Sequence, residues 1–187
     1  DSPTIFGGLL DHEKGGEFRI SPAEEEARYQ QLYLPDTNVL LTRFLSEDGV
    51  GEITDFMPVG EQWHTHTIIR RVTGVRGPIT FQLRCAPRFD YGRSDPQVEK
   101  KDGEILFTSE DGTVLRLRIP VPCQIKNGSA IAEFTLNPDE TADFILEHVD
   151  SDIESPTHRA GYVDRMLDHT IDYWRDWVGQ SDYSGRW

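Results

Sequence analysis

The chain has 187 residues, room for one domain with a sizeable core and little more. Thirty-three acidic residues against nineteen basic ones give a formal net charge of −14, a field that repels phosphate backbones and anionic surfaces. Nucleic acid and membranes are therefore excluded as expected partners. A 10% aromatic content and ordered apolar spacing set the chain apart from disordered compositions.

The basic residues are 15 Arg and only 4 Lys. An acidic, Lys-poor surface suits a salt-rich cytoplasm, where ionic strength screens self-repulsion, as well as ordinary acidic solubility. No apolar run approaches about 18 residues and no secretion signal is visible, so the cytoplasm is the expected location. Cys85 and Cys123 lie far apart beside prolines and are expected to be two buried thiols rather than a disulfide.

In chain order, Thr4 to Leu10 is a short apolar segment. Glu17 to Ile20 alternates as a half-buried strand and is closed by Ser21-Pro22. Ala27 to Leu34 is a strand ended by Pro35. Asn38 to Ser46 and Val50 to Met57 form a hairpin through Glu47-Asp48-Gly49, where glycine tolerates a positive φ. Thr65 to Thr73 is a strand, Gly74 to Pro78 a turn and Ile79 to Ala86 a strand.

Asp102-Gly103, Asp111-Gly112 and Asn127-Gly128 are turn signals that bracket strands at Ile105 to Thr108, Val114 to Ile119 and Ala130 to Leu136. Ala142 to Val149 is the last strand. Short strands at this spacing predict an all-β, antiparallel sandwich or barrel and exclude a parallel α/β fold. After Pro156 the period changes. Tyr162, Val163, Met166, Leu167, Ile171, Trp174 and Val178 fall on one stripe of a helix over 158–178, with Ser155 or Thr157 as its cap and Gly179 as its end.

The chemistry-bearing patterns are few. No zinc spacing, P-loop or G-x-S-x-G elbow is present, so no cofactor and no metal are expected. His64 and His66 share one side of a strand, a pattern that can serve a metal but reads first as an exposed polar segment. Asp36 and Asp55 stand beside prolines at strand ends, where loops carry function and where aspartates also accept backbone hydrogen bonds in Asx turns.

Pro87-Arg88-Phe89-Asp90-Tyr91-Gly92-Arg93 joins aromatics, a carboxylate and two guanidiniums directly after a strand. Such a set stacks and hydrogen-bonds a sugar, anchors a domain interface, or orders its own loop by Arg–Asp pairing. Arg88, Asp90, Tyr91, Arg93, Asp36 and Asp55 are thus interface or cleft-rim candidates. Glycoside hydrolysis needs two carboxyl groups roughly 5 to 9.5 Å apart, which spacing along a chain cannot establish.

The same segment carries a resemblance. Together with Phe6 and Leu9-Leu10-Asp11, Gly16-Glu17-Phe18, Tyr33-Leu34-Pro35-Asp36-Thr37-Asn38-Val39-Leu40, Thr54-Asp55-Phe56-Met57-Pro58, Arg84-Cys85-Ala86-Pro87 and the tail Tyr173-Trp174-Arg175-Asp176-Trp177, it resembles the N-terminal domain of bacterial and archaeal glycoside hydrolase family 15 proteins, the glucoamylase-like and trehalase-like group. The resemblance implies a large antiparallel β-sandwich over 1–155 and a linker helix over 156–187 that passes into an (α/α) toroid. The chain is then a trimmed piece of a longer polypeptide.

Because the family's catalytic glutamates lie in the toroid, none is carried over. The expected function is a non-catalytic scaffold or interface domain of an enzyme acting on α-glucosides, with the downstream catalytic domain as partner and substrate at the domain boundary. A carbohydrate-binding module for α-glucans or trehalose is the alternative, and an independent glycosidase a third.

Overall fold

The computed structural model describes residues 4–9, 11, 14–24, 26–59, 66–149 and 155–180. Twelve strands precede one helix among them: β1 (Glu17–Pro22), β2 (Arg28–Tyr33), β3 (Leu40–Leu45), β4 (Val50–Phe56), β5 (Thr67–Arg76), β6 (Ile79–Ala86), β7 (Gln97–Lys101), β8 (Glu104–Thr108), β9 (Val114–Arg118), β10 (Gln124–Lys126), β11 (Ser129–Leu136), β12 (Thr141–His148) and α1 (Tyr162–Gly179). All pairings are antiparallel. Four strands form one sheet in the order β1-β6-β11-β10, and eight form the other in the order β2-β3-β4-β5-β12-β9-β8-β7. The expected antiparallel β-sandwich is the fold.

Alternation explains which faces meet. In β6, Ile79, Phe81, Leu83 and Cys85 are buried while Gln82 is exposed between them. β12 departs from alternation, with Phe144 to Glu147 buried in succession. Phe144 and Leu146 face the sandwich core, whereas Ile145 and Glu147 face α1 on the outer side. A ring chain runs through the core from Phe44 to Phe81, Phe134 and Phe144, with centroids 6.1, 5.9 and 5.2 Å apart. Each fully buried ring contributes about 1.5–3 kcal/mol by desolvation.

α1 lays Tyr162, Val163, Met166, Leu167 and Ile171 on Val39, Phe56, Ile69 and Ile145 of the large sheet's outer face. The predicted stripe is therefore real at its N-terminal end. Further along, Trp174 is half-buried and Val178 is exposed. The helix begins later than 158, because Pro156–His158 forms a 3₁₀ turn first. Ser155 caps that turn by accepting from the Thr157 N–H, while Gly161, at φ 66°, precedes the helix proper. Gly179 is its last residue rather than a stop beyond it.

Other boundaries shift for readable reasons. β1 continues through Ser21 and Pro22, which pair with Gln82 and Phe81; proline is tolerated because β1 is an edge. β5 runs through Gly74 to Arg76, because the Gly74 N–H and C=O are engaged by Glu140 O and the Asp139 N–H at 2.9 Å each. Gly49 does not adopt positive φ. It is required by crowding, since a Cβ there would stand 2.5 Å from the Pro78 carbonyl oxygen. β7, β10 and the short turn at Asp90–Gly92 have no counterpart among the strands that the sequence pattern predicts. Cys85 and Cys123 are buried and unpaired, as expected. No helix among the described residues is long and apolar enough to cross a membrane.

Candidate functional site

At one end of the large sheet, the N-terminal segment and the segment after β6 enclose a groove of about 930 Å³ against the strands. Ile68, Leu115 and Leu146 of the large sheet form one wall. Ile5, Phe6 and Phe89 form the other. The rim is polar and carries Asp90 and Ser94 from the segment after β6, Ser109, Asp111 and Thr113 from the β8–β9 turn, His148 from the end of β12, and His66 from just before β5. A concave apolar floor with a few polar groups at its mouth is the general form of a ligand or docking site.

The segment after β6 is the most constrained part of this rim. Phe89 and Ser94 exchange backbone hydrogen bonds at 3.1 and 3.2 Å, closing the loop on itself. Within it Asp90, Tyr91 and Gly92 take φ of 48°, 58° and 82°. Three successive left-handed residues, one of them a tyrosine, store strain that persists only where the surroundings hold it.

The N-terminal segment supplies that hold. The Arg88 N–H donates to Ile5 O at 3.1 Å and the Tyr91 N–H to Thr4 O at 3.3 Å. Gly92 is required as well, because an added Cβ would lie 2.7 Å from the Lys14 carbonyl oxygen. The result fixes Tyr91 with 57% of its surface exposed.

The six candidate residues separate. Asp90 lines the groove, and Tyr91 and Arg93 stand exposed beside it on the same turn. Arg93 reaches Asp90 at 3.7 Å across an exposed gap. Arg88 turns inward. Its side chain is 14% exposed, pairs with Asp95 at 3.2 Å and donates to Pro87 O at 3.0 Å.

Asp55 is a tie between the sheets. It receives both Nε and Nη2 of Arg70, at 2.8 and 3.0 Å, while Arg70 also donates to Phe18 O and lies 5.0 Å over the Phe18 ring. Asp36 is exposed at φ 59° in the β2–β3 turn, whose hydrogen bonds come from Thr37 instead. His64 lies outside the described residues, and His66 is exposed before β5. No cluster of three metal-ligating side chains occurs among the described residues.

The rim's electrostatics are one-sided. Hydrogen bonds from Ser109 and Thr113 hold the Asp111 carboxyl below its ordinary range, so it is ionised at neutral pH and cannot donate a proton. Ser94 Oγ, by contrast, is buried in the groove wall and has no protein hydrogen-bond partner.

A second cluster was not visible in the sequence. Glu147 is wholly buried on the helix side of β12, where it accepts from Arg116 Nε and Thr157 Oγ1 at 2.9 Å each and from Ser155 Oγ at 2.6 Å. Arg118 Nε adds a bond to Thr157 Oγ1 at 2.7 Å. This clasp fastens the strap leading into α1. Its only sequence trace is the alternation Arg116-Leu117-Arg118, which becomes informative once β9 is known to pair with β12.

Comparison with known proteins places this architecture. Trehalase 1 of Sulfolobus acidocaldarius is 33% identical over 97% of the chain, and the trehalase of Thermoplasma acidophilum 29% identical over 99%. The chain spans only 30% and 32% of those relatives. A human-microbiome protein assigned as a kojibiose phosphorylase superposes with a TM-score of 0.50 over 89% of this chain and 25% of its own, at 9% identity, a likeness of fold alone. The trehalase-like N-terminal family matches residues 1–160, and the chain belongs to that family.

Proposed function

We propose that this chain is the non-catalytic scaffold domain of a longer family 15-type glycoside hydrolase acting on an α-glucoside, trehalose or a maltooligosaccharide. In this reading residues 1–155 form the sandwich, and 156–187 lead into a helical catalytic domain. The groove end of the sandwich meets that domain near the mouth of its cleft. The observation that carries the reading is the strained turn Asp90–Gly92, braced on Thr4, Ile5 and Lys14 while Tyr91 stays exposed. Strain kept at a rigid, exposed aromatic fits a surface built to be read by another body. Relatives named trehalases, about three times as long, supply the substrate class.

The test uses the longer polypeptide. Tyr91→Phe and Arg93→Ala should lower kcat/KM or weaken domain docking while the melting point of this domain stays unchanged. Arg88→Ala should do the opposite, since its contacts are internal. Unchanged kinetics and docking in the first two variants would return the turn to ordinary scaffold.

A second reading, a carbohydrate-binding module, is favoured by one observation. The unpartnered Ser94 Oγ sits in an apolar groove, where a ligand hydroxyl would satisfy it. Titration of the chain with trehalose and with maltooligosaccharide distinguishes the two readings. Saturable binding lost in Ser94→Ala supports the module, and no heat with either sugar removes it.

A further inference from the structure

Among the described residues, the eight-stranded sheet ends in two chemically unlike edges. At one, β7 presents Glu99, Lys100 and Lys101, all exposed, within five residues. Charges of this kind keep an edge from pairing with foreign strands. At the other, β2 carries one charge, Arg28, in six residues, and every one of the six is exposed. Tyr29 is 67%, Tyr33 59% and Leu32 41% accessible. The strand contains no proline, and its register against β3 is unbroken from Arg28↔Leu45 to Tyr33↔Leu40. It therefore lacks the usual guards of a free edge.

The phase of the ladder shows which backbone groups are on offer. The Leu34 N–H donates to Val39 O at 2.9 Å, continuing the β2–β3 register by one residue. In an antiparallel pair, alternate residues of a strand bond the same neighbour. Leu32, Gln30 and Arg28 therefore bond β3, and the N–H and C=O groups of Tyr29, Gln31 and Tyr33 point outward. The same three side chains share one face, as the Tyr29–Phe44 ring contact at 6.2 Å and the Gln31–Thr42 hydrogen bond at 3.1 Å confirm.

We propose that the β2 edge pairs with β2 of a second copy of this chain, antiparallel about a two-fold axis through Gln31. This register engages all the outward backbone groups at once. Tyr29 then faces Tyr33 of the second copy, Gln31 faces its counterpart, and Gln30 faces Leu32. Cross-strand aromatic pairs stabilise such a seam. No like charges meet within the strands. Arg28 is carried to the end of the second copy's strand that bears Asp36, of opposite sign. The contact is self-complementary, as an isologous interface must be. A seam of six residues per copy is small against the roughly 1,600 Å² of a standard interface, so the dimer is weak and fills only at high concentration. Salt strengthens it, because each copy carries a net charge of −14 and screening relieves their mutual repulsion.

This inference is independent of the proposed function, and sedimentation velocity on this chain tests it. The mass is expected to move from monomer toward dimer with rising concentration and more readily at high salt. Gln31→Pro should abolish dimerisation and leave the fold intact by circular dichroism, since the Gln31 N–H bonds nothing in β3. Gln31→Lys, which sets like charges face to face on the axis, should do the same without altering the backbone. A monomer at every concentration and salt overturns the proposal and leaves the edge to a strand of another kind. A dimer that survives both variants overturns it as well.

Discussion

Tyr162 stands where the strap becomes a helix, buried against the large sheet with its phenol close to the Glu147 carboxylate. Burial first, and then the neighbouring negative charge, push its pKa from 10.0 up to about 12. A raised pKa means that the folded state holds the proton more tightly than the unfolded chain does. Stability from this group is therefore complete below about pH 10 and is lost as pH rises from about 10 to about 12. Unfolding measured across that range should show this slope in the parent chain and a shallower one in Tyr162→Phe. Equal slopes would mean that the phenol is not the group responsible. Single residues of this kind were the least legible part of the sequence. Asp55 sits beside Phe56-Met57-Pro58 and reads like a loop aspartate. Its role depends on Arg70, which the β4–β5 pairing sets opposite it, and on Phe18, which only the packing of the two sheets brings to Arg70.

At the level of elements, the clasp around Glu147 joins β9, β12 and the 155–158 strap into one unit. Arg116 and Arg118 balance the buried carboxylate, and Glu104 approaches both guanidiniums, at 3.9 and 2.8 Å. Without Glu147 a single carboxylate, Glu104, faces two guanidiniums, and Ser155 and Thr157 lose their buried acceptor, so Glu147→Ala should cost up to about 3–5 kcal/mol. Chemical denaturation would measure that loss, and helical circular dichroism should fall earlier than the sheet signal, because the strap is freed first. A cost near that of a surface substitution would show the clasp to be dispensable.

The stripe of α1 was readable because Tyr162, Val163, Met166, Leu167 and Ile171 repeat at three and four. The stripe could not show where its packing ends, which leaves Val178, its last member, 38% exposed. β7 was invisible for a related reason. Val98 is its only apolar residue, and an edge strand needs no more.

Across the whole molecule, the architecture was legible in its turns. Gly103, Gly112 and Gly128 each take positive φ where an Asp-Gly or Asn-Gly pair marked a hairpin. Hairpins are local, so chemistry two residues long reports them. Strand order was not legible, because it rests on contacts between distant segments. The large sheet is two meanders, β2-β3-β4-β5 and β7-β8-β9, joined by β12 between β5 and β9. No local pattern states that Ile145 pairs with Ile69.

That insertion sets the order in which the protein can assemble. The strand at the middle of the large sheet is the last of the twelve to leave the ribosome. Each meander can form in microseconds from neighbouring residues. Their union waits for residues 141–148, and β1 likewise waits for β6. Until then the first meander ends in an unpaired β5 edge carrying Ile69 and Val72, and the second in an exposed β9. A chain halted before residue 141 should present two open edges and be prone to aggregate. In pulse-labelled amide exchange during refolding, the hairpin amides of β3–β4 and β8–β9 should gain protection before those linking β5 to β12. Simultaneous protection would point to closure in one step. The dependence on a late central strand makes folding slow for the size of the chain, since the long loop must close before its contacts stabilise anything.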